Sequence, residues 1–225
     1  MSISVLLVDD HALIRQGNAL LIDSTPDLTV AGEAATGEDA VRQARRLLPD
    51  VVLMDVRMPG IGGIEATRQI VSGTPDTRVL VLTTFDLDAY AFGSLTAGAS
   101  GFLTKRATPK ELTGAIRLVA AGESVLAPRA TRRLIEAFAS APTQRGTSRS
   151  PGQASEAPDP LALLSPRELD VFMGIARGLS NAELSAEFTL SLPTIKSHIN
   201  RILAKLGARD RVQLVILAYT RGLAR

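Results

Sequence analysis

Cysteine is absent from all 225 residues of the chain. Disulfide frameworks and thiolate metal sites are therefore excluded, which fits a reducing compartment and a cytoplasmic location. Histidine is scarce, with two in the chain; His198, with no cysteine or histidine beside it, makes no metal site. Long apolar runs are missing, and none approaches the ~20 residues that cross a bilayer. The opening Met1-Ser2-Ile3-Ser4-Val5-Leu6-Leu7-Val8 is apolar but short. It lacks a basic leader and runs into Asp9-Asp10, so it does not read as a signal peptide. Strong net charge is lacking too, at +2 overall. The two ends of the chain differ, however. Residues 1–139 carry 14 Lys/Arg against 16 Asp/Glu, and residues 161–225 carry 9 against 5. The basic excess of the C-terminal part points to an anionic partner there. What the chain does have is 45% hydrophobic residues, enough at this length for one or two packed domains.

The stretch that organises the first part is Val51-Val52-Leu53-Met54-Asp55-Val56-Arg57-Met58-Pro59-Gly60. A short unbroken apolar run suits a strand buried on both faces of a parallel sheet. Turn residues end it, so Asp55 falls at the strand's carboxyl end, where open α/β sheets place their ligands. Similar strands are predicted at residues 3–8, 28–34, 79–82 and 101–103. Helices are predicted at 12–21, 36–48, 63–71, 87–97 and 108–121. Thr36 can cap the second helix, whose apolar stripe is Ala40, Val41, Ala44, Leu47 and Leu48, while Thr108-Pro109-Lys110-Glu111 is a capping box for the fifth. Five strands alternating with five helices predict a doubly wound parallel sheet.

In that fold the strand ends meet on one edge, which collects Asp9, Asp10, Asp55, Thr83 and Lys105. Carboxylates held together repel, so a hard cation is the natural counter-charge, and Mg²⁺ prefers oxygen ligands. A hydroxyl and an ammonium opposite could receive an anionic group carried on Asp55. The set is a site for accepting a phosphoryl group as an acyl phosphate. An ordinary loop-capping aspartate is the plain alternative for Asp55 taken alone.

Residues 1–121 resemble the receiver domain of two-component response regulators, whose fold is flavodoxin-like. The resemblance rests on Val8-Asp9-Asp10-His11, Met54-Asp55-Val56-Arg57-Met58-Pro59, Leu82-Thr83-Thr84-Phe85 and Gly98-Ala99-Ser100-Gly101-Phe102-Leu103-Thr104-Lys105. It implies that a sensor histidine kinase phosphorylates Asp55. It implies that Asp10, Asp55 and the backbone carbonyl of Arg57 bind Mg²⁺, with Asp9 acting through water. It further implies that Thr83 turns toward the phosphoryl oxygens, that Phe102 rotates in step, and that Lys105 pairs with the phosphate.

Residues 122–160 read as a linker, with one helix at 130–139 and a Pro-, Ser- and Gly-rich flexible stretch after it. Residues 161–225 read as four helices. Ser165-Pro166-Arg167-Glu168 and Ser180-Asn181-Ala182-Glu183 are capping boxes that open the first two. The third runs from Ser191-Leu192-Pro193-Thr194 to Leu206 and stops at Gly207; the fourth begins at Asp210 or Arg211. The middle pair has helix-turn-helix spacing. In the third helix Ile195, Ile199, Ile202 and Leu206 form one apolar stripe. Lys196, Ser197, Asn200, Arg201 and Ala204 then share the opposite, acid-free face. Such a face can enter a major groove, with Asn reading adenine and Lys reading guanine. Lys205, Arg209 and Arg211 can hold flanking phosphates. A merely solvated helix face is the alternative.

This part resembles the LuxR-type helix-turn-helix domain through Leu164-Ser165-Pro166-Arg167-Glu168, Gly178-Leu179-Ser180-Asn181-Ala182-Glu183, Thr194-Ile195-Lys196-Ser197-His198-Ile199 and Ile202-Leu203-Ala204-Lys205-Leu206-Gly207. A receiver followed by this domain is the NarL/FixJ class. The resemblance implies base reading by Lys196, Ser197 and Asn200, and a dimer face on Val212, Val215, Ile216 and Tyr219. Two rival functions stand beside a phosphorylation-controlled transcription regulator that binds promoter DNA as a homodimer. One is an α/β phosphohydrolase with Asp55 as nucleophile, but Arg57 fills the place of its second acid. The other makes the C-terminal bundle a protein-binding module, with RNA polymerase as a candidate partner.

Overall fold

The computed structural model describes residues 2–83, 93–123 and 160–223. Thr84 and Phe85, the helix expected at 130–139 and nearly all of the flexible stretch expected after it lie outside them. The chain divides into two compact units, Met1–Ala130 and Thr131–Arg225.

The first unit alternates β1 (Ile3–Val8), α1 (Ala12–Asp23), β2 (Leu28–Ala34), α2 (Gly37–Leu47), β3 (Val51–Asp55), α3 (Gly62–Gly73), β4 (Arg78–Thr83), β5 (Gly101–Thr104) and α4 (Pro109–Ala120). Residues 93–96, between β4 and β5, are helical; the rest of the helix expected at 87–97 falls mostly outside the described residues. All five strands are parallel in the order β2-β1-β3-β4-β5. This is the flavodoxin-like, doubly wound arrangement, with its switch of strand order between β1 and β3. Both faces of the sheet are covered. Val5, Leu7, Leu53 and Leu80 pack on one face with Ile22 of α1 and Ile116 and Val119 of α4. The residues between them, Leu6, Val52 and Met54, are equally buried, as the two-residue period of a strand requires. Every residue of β3 is buried, which is why its sequence shows no polar alternation.

Thr36 caps α2 by accepting from the Asp39 amide at 3.2 Å, and Thr108 with Glu111 closes a capping box on α4. Leu48 departs from expectation. It does not continue the α2 stripe; it ends the helix in the left-handed region (φ +46°) and is 67% exposed. Pro49 follows, and a residue before proline is pushed out of the helical region.

The second unit contains a short 3₁₀ turn (Pro160–Leu163), α5 (Pro166–Ala176), α6 (Asn181–Phe188), α7 (Leu192–Leu206) and α8 (Arg211–Thr220). Capping boxes at Ser165 and Ser180 open α5 and α6, Ser191 caps α7, and Asp210 accepts from the Val212 and Gln213 amides at α8. Val171, Phe172 and Ile175 of α5 form the core with Leu184, Ile195, Ile199, Ile202, Leu214 and Val215. Val212 and Val215 are 1% and 3% exposed, so of the expected dimer face only Ile216 and Tyr219 retain partial exposure.

Candidate functional site

Sheet register builds the first site. Val8 pairs with Met54, Asp55 with Leu82, and Thr83 with Thr104. The residues just past or at those ends, Asp9, Asp55, Thr83 and Lys105, therefore meet on one edge. Lys105 Nζ donates to Asp9 Oδ2 at 2.7 Å and to Asp55 Oδ2 at 2.8 Å. The Lys105 amide donates to the Thr83 carbonyl at 2.7 Å, which fixes the turn that carries the ammonium. Asp9, Asp55 and Thr83 are 3–4% exposed, and Phe102, opposite Val81 in β5, is buried two residues back from the edge. Asp10 is half-buried. Ligand atoms of Asp9, Asp10, His11 and Asp55 all lie within 4.8 Å of one another.

Electrostatics make the cluster short of positive charge. Burial pushes the Asp55 carboxyl up from its ordinary value; the Lys105 hydrogen bond and charge oppose this without cancelling it. Burial also disfavours charged Lys105, yet its hydrogen bonds to Asp55 and Asp9 outweigh that and hold its pKa above the ordinary amine value. One ammonium among three carboxylates leaves room for a hard, oxygen-seeking cation. The donor set therefore fits such an ion. The Arg57 amide points at Asp55 Oδ1 at 3.4 Å, so the chain turns tightly around the carboxylate.

Two contributors were not singled out by sequence. The His11 amide donates to Asp9 Oδ1 at 2.9 Å, and its Nδ1 lies 2.8 Å from Asp10 Oδ1. Arg15 donates from Nη1 to the Asp9 carbonyl at 2.7 Å and from Nε to Glu33 at 2.8 Å, clamping the loop that presents Asp9. Residue spacing carried a partial signal for Arg15, since one helical turn after His11 points back at the β1 end.

In the second unit α7 buries Ile195, Ile199 and Ile202. Lys196, Ser197, Asn200, Arg201 and Ala204 are all exposed, sharing the outward side. His198 is half-buried on its flank, with Nδ1 buried away from any hydrogen-bond partner. Of the other basic residues expected to hold phosphates, Lys205 and Arg211 have partners within the protein. Lys205 Nζ donates to Glu168 Oε2 at 2.6 Å. Arg211 turns inward, donating to Asn181 Oδ1 at 3.0 Å and to the Leu179 carbonyl. Burial lowers its guanidinium to about 10. Arg209 is half-buried. Arg167 ties α5 to the helix-turn-helix by donating to the Phe188 carbonyl at 2.7 Å and stacking 4.9 Å over the Phe188 ring.

Glu168 is the acid that organises this end. The Lys205 hydrogen bond, and after it the Ser165 amide, depress its carboxyl to about 2. A depressed carboxylate stabilises the fold fully above its unfolded value, and the contribution is lost as pH falls through the folded value. The parent is therefore expected to unfold at higher urea than Glu168→Gln near neutral pH. The gap should close between about pH 4.5 and about pH 2. Urea titrations of both chains followed by circular dichroism check this; a gap that does not change with pH contradicts it.

Comparison with known proteins finds a match for each of the two domains. The family described as "Response regulator receiver domain" matches residues 5–117, and "Bacterial regulatory proteins, luxR family" matches residues 162–218. The chain is 39% identical over 221 residues to the uncharacterized transcriptional regulatory protein YxjL of Bacillus subtilis, covering 98% of this chain and 97% of that protein. It is 34% identical over 223 residues to the response regulator protein VraR of Staphylococcus aureus, covering 99% of each. A crystal structure of a LuxR-family two-component response regulator from an Aurantimonas species superposes with a TM-score of 0.56 at 39% identity, covering 60% of this chain and 97% of that one.

Proposed function

The chain belongs to the response regulators that join a receiver domain to a LuxR-family DNA-binding domain, and we propose that it accepts the phosphoryl group of a sensor histidine kinase on Asp55. It is a DNA-binding transcriptional response regulator of a two-component system. The observation that carries the Asp55 assignment is the buried carboxylate at the sheet edge, sharing the Lys105 ammonium with Asp9. In the transfer an Asp55 oxygen attacks phosphorus and the phosphohistidine P–N bond breaks. The imidazole leaves with the bonding pair and takes up a proton. Lys105 pairs with the phosphoryl oxygens, Thr83 turns toward them, and Phe102 moves in step. Asp10, Asp55 and the Arg57 carbonyl would hold Mg²⁺, with the Asp9 carboxylate beside them. When bound, the ion neutralises charge on the transferring group.

Acceptance here is a single modification, not turnover, and the protein is not an enzyme in the sense of a phosphohydrolase. Arg57 stands two residues after Asp55, where that chemistry needs a second acid. Incubation with acetyl phosphate and Mg²⁺ is expected to add one phosphoryl group by intact mass, and chelation of the metal to prevent it. Equal gain with and without chelator contradicts the Mg²⁺ assignment. Multiple turnover on phosphate esters favours the hydrolase.

The domains run over residues 1–121 and 161–225, with 122–160 joining them. Promoter DNA is bound by the outward side of α7, in a homodimer that forms on phosphorylation or on DNA. RNA polymerase is a further partner. The protein works in the cytoplasm, where promoter DNA is found. Among the described residues no helix is long and apolar enough to cross a membrane. Lys196, Ser197 and Asn200 read bases, and Arg201 and Arg209 contact phosphates. Lys205 and Arg211 act mainly as braces through Glu168, Asn181 and Leu179. Asn200→Ala is expected to cost about 1–3 kcal/mol at its own base pair and flatten preference there. Selection from random DNA checks this, and an unchanged motif would contradict the placement of α7 in the groove.

A further inference from the structure

The first turn of α2 touches the loop between β3 and α3 at three places. The Ile61 amide donates to Glu38 Oε1 at 3.1 Å. Gly60 adopts φ +80°, and a Cβ there would lie 2.8 Å from Glu38 Cδ, so the glycine lets the carboxylate come up against the loop backbone. A Cβ on Gly37 would lie 2.7 Å from Ile61 Cγ1 and 2.9 Å from the Gly62 carbonyl oxygen. The same loop begins at Arg57, whose amide faces Asp55, and closes where the Gly63 amide donates to the Val56 carbonyl at 3.0 Å. Its inner ends are thus tied to the phosphoacceptor strand, and its outer bend is tied to Glu38.

We infer that Glu38 is a positioning residue of the Asp55 site, holding the loop that presents the Arg57 carbonyl so that the cation site is preformed. The inference rests on the Asp55 reading and adds a residue to it. Glu38 touches neither Asp55 nor the ammonium; it acts through the Ile61 amide. A loop held before the ion arrives costs less ordering on binding than one that must settle around it. The acceptor oxygen matters and the negative charge does not. Glutamine presents the same oxygen at the same reach without the charge, whereas alanine removes both.

The test compares the full-length parent, Glu38→Gln and Glu38→Ala. Mg²⁺ affinity is read by calorimetry, protection of the Ile61 amide by hydrogen exchange, and phosphoryl loading from acetyl phosphate by intact mass. Glu38→Ala is expected to weaken Mg²⁺ binding about fivefold, the factor that one net hydrogen bond corresponds to. It should also lose Ile61 protection and load more slowly at limiting Mg²⁺, with the difference vanishing at saturating Mg²⁺. Glu38→Gln is expected to match the parent on all three. Loss of Ile61 protection in Glu38→Ala without a change in Mg²⁺ affinity overturns the inference and leaves Glu38 with a structural part only. So does a Glu38→Gln variant as weak as Glu38→Ala, which would assign the effect to charge. A parent that neither binds Mg²⁺ nor loads overturns the Asp55 reading itself, and the inference with it. That outcome is read on the parent alone, so the two failures are distinguishable.

Discussion

Asp55→Asn is expected to reduce phosphoryl acceptance to background while the chain remains folded. The amide keeps the shape of the side chain, and its oxygen can still accept from Lys105 Nζ, now 2.8 Å from the carboxylate. What it loses is the nucleophile: a carboxylate oxygen carries the electron pair that forms the acyl phosphate, and an amide oxygen at neutral pH does not compete. Removing one of the crowded carboxylates also relieves repulsion with Asp9, so the variant should be no less stable than the parent. Intact mass after incubation with acetyl phosphate and Mg²⁺, together with circular dichroism, measures both halves. An Asn variant that gains phosphate as readily as the parent would place the acceptor elsewhere.

Gly63→Ala should be the most damaging small substitution near this site. Gly63 lies in the first turn of α3, directly over the end of β3. A Cβ there would overlap the Asp55 carbonyl oxygen and lie 2.9 Å from both the Asp55 carbonyl carbon and Val56 Cα. All three atoms are backbone, so no rotamer change can make room, and α3 must lift from the strand that carries Asp55. A cost of about 3 kcal/mol is expected, at the upper end of overpacking changes. Gly17→Ala is the matched control, because nothing lies within 4 Å of its would-be Cβ. In the middle of α1, alanine there should stabilise by about 0.5–1 kcal/mol through helix propensity. Urea unfolding of the three chains separates these signs. A Gly63→Ala chain as stable as the parent would show that α3 does not bear on β3 so closely.

Much of the first unit was readable because parallel strands buried on both faces leave a distinctive record. Val51 to Met54 are apolar without alternation, and the polar residue that ends each run lands on the same edge. That rule alone brings Asp9, Asp55, Thr83 and Lys105 together, from four strands spread over 97 residues of chain. Capping boxes at Thr108, Ser165 and Ser180 were equally readable, since both partners lie within one turn. Contacts between distant residues left no such record. Leu48 fits the α2 stripe by spacing, yet Pro49 turns it out of the helix. Lys205 and Arg211 look like phosphate contacts on a basic helix pair. Their partners Glu168 and Asn181 stand 37 and 30 residues away, and nothing local announces them. Glu38 is hidden for the same reason, because it acts on a loop backbone and a backbone partner has no sequence signature, while Arg15 is legible only in part, through its spacing from His11.

Phosphoryl transfer to Asp55 is proposed to control binding of DNA by the outward side of α7. The most direct measurement is the dissociation constant for a DNA selected by the protein, taken at fixed salt, since phosphate contacts make affinity depend on it. It is measured for the parent and for Asp55→Asn, before and after treatment with acetyl phosphate and Mg²⁺. The predicted result is tighter binding by the treated parent alone, with both untreated chains and the treated variant alike. A treated Asp55→Asn chain that tightens as much as the parent, or a parent whose affinity does not change although its mass shows the added phosphoryl group, would contradict the claim.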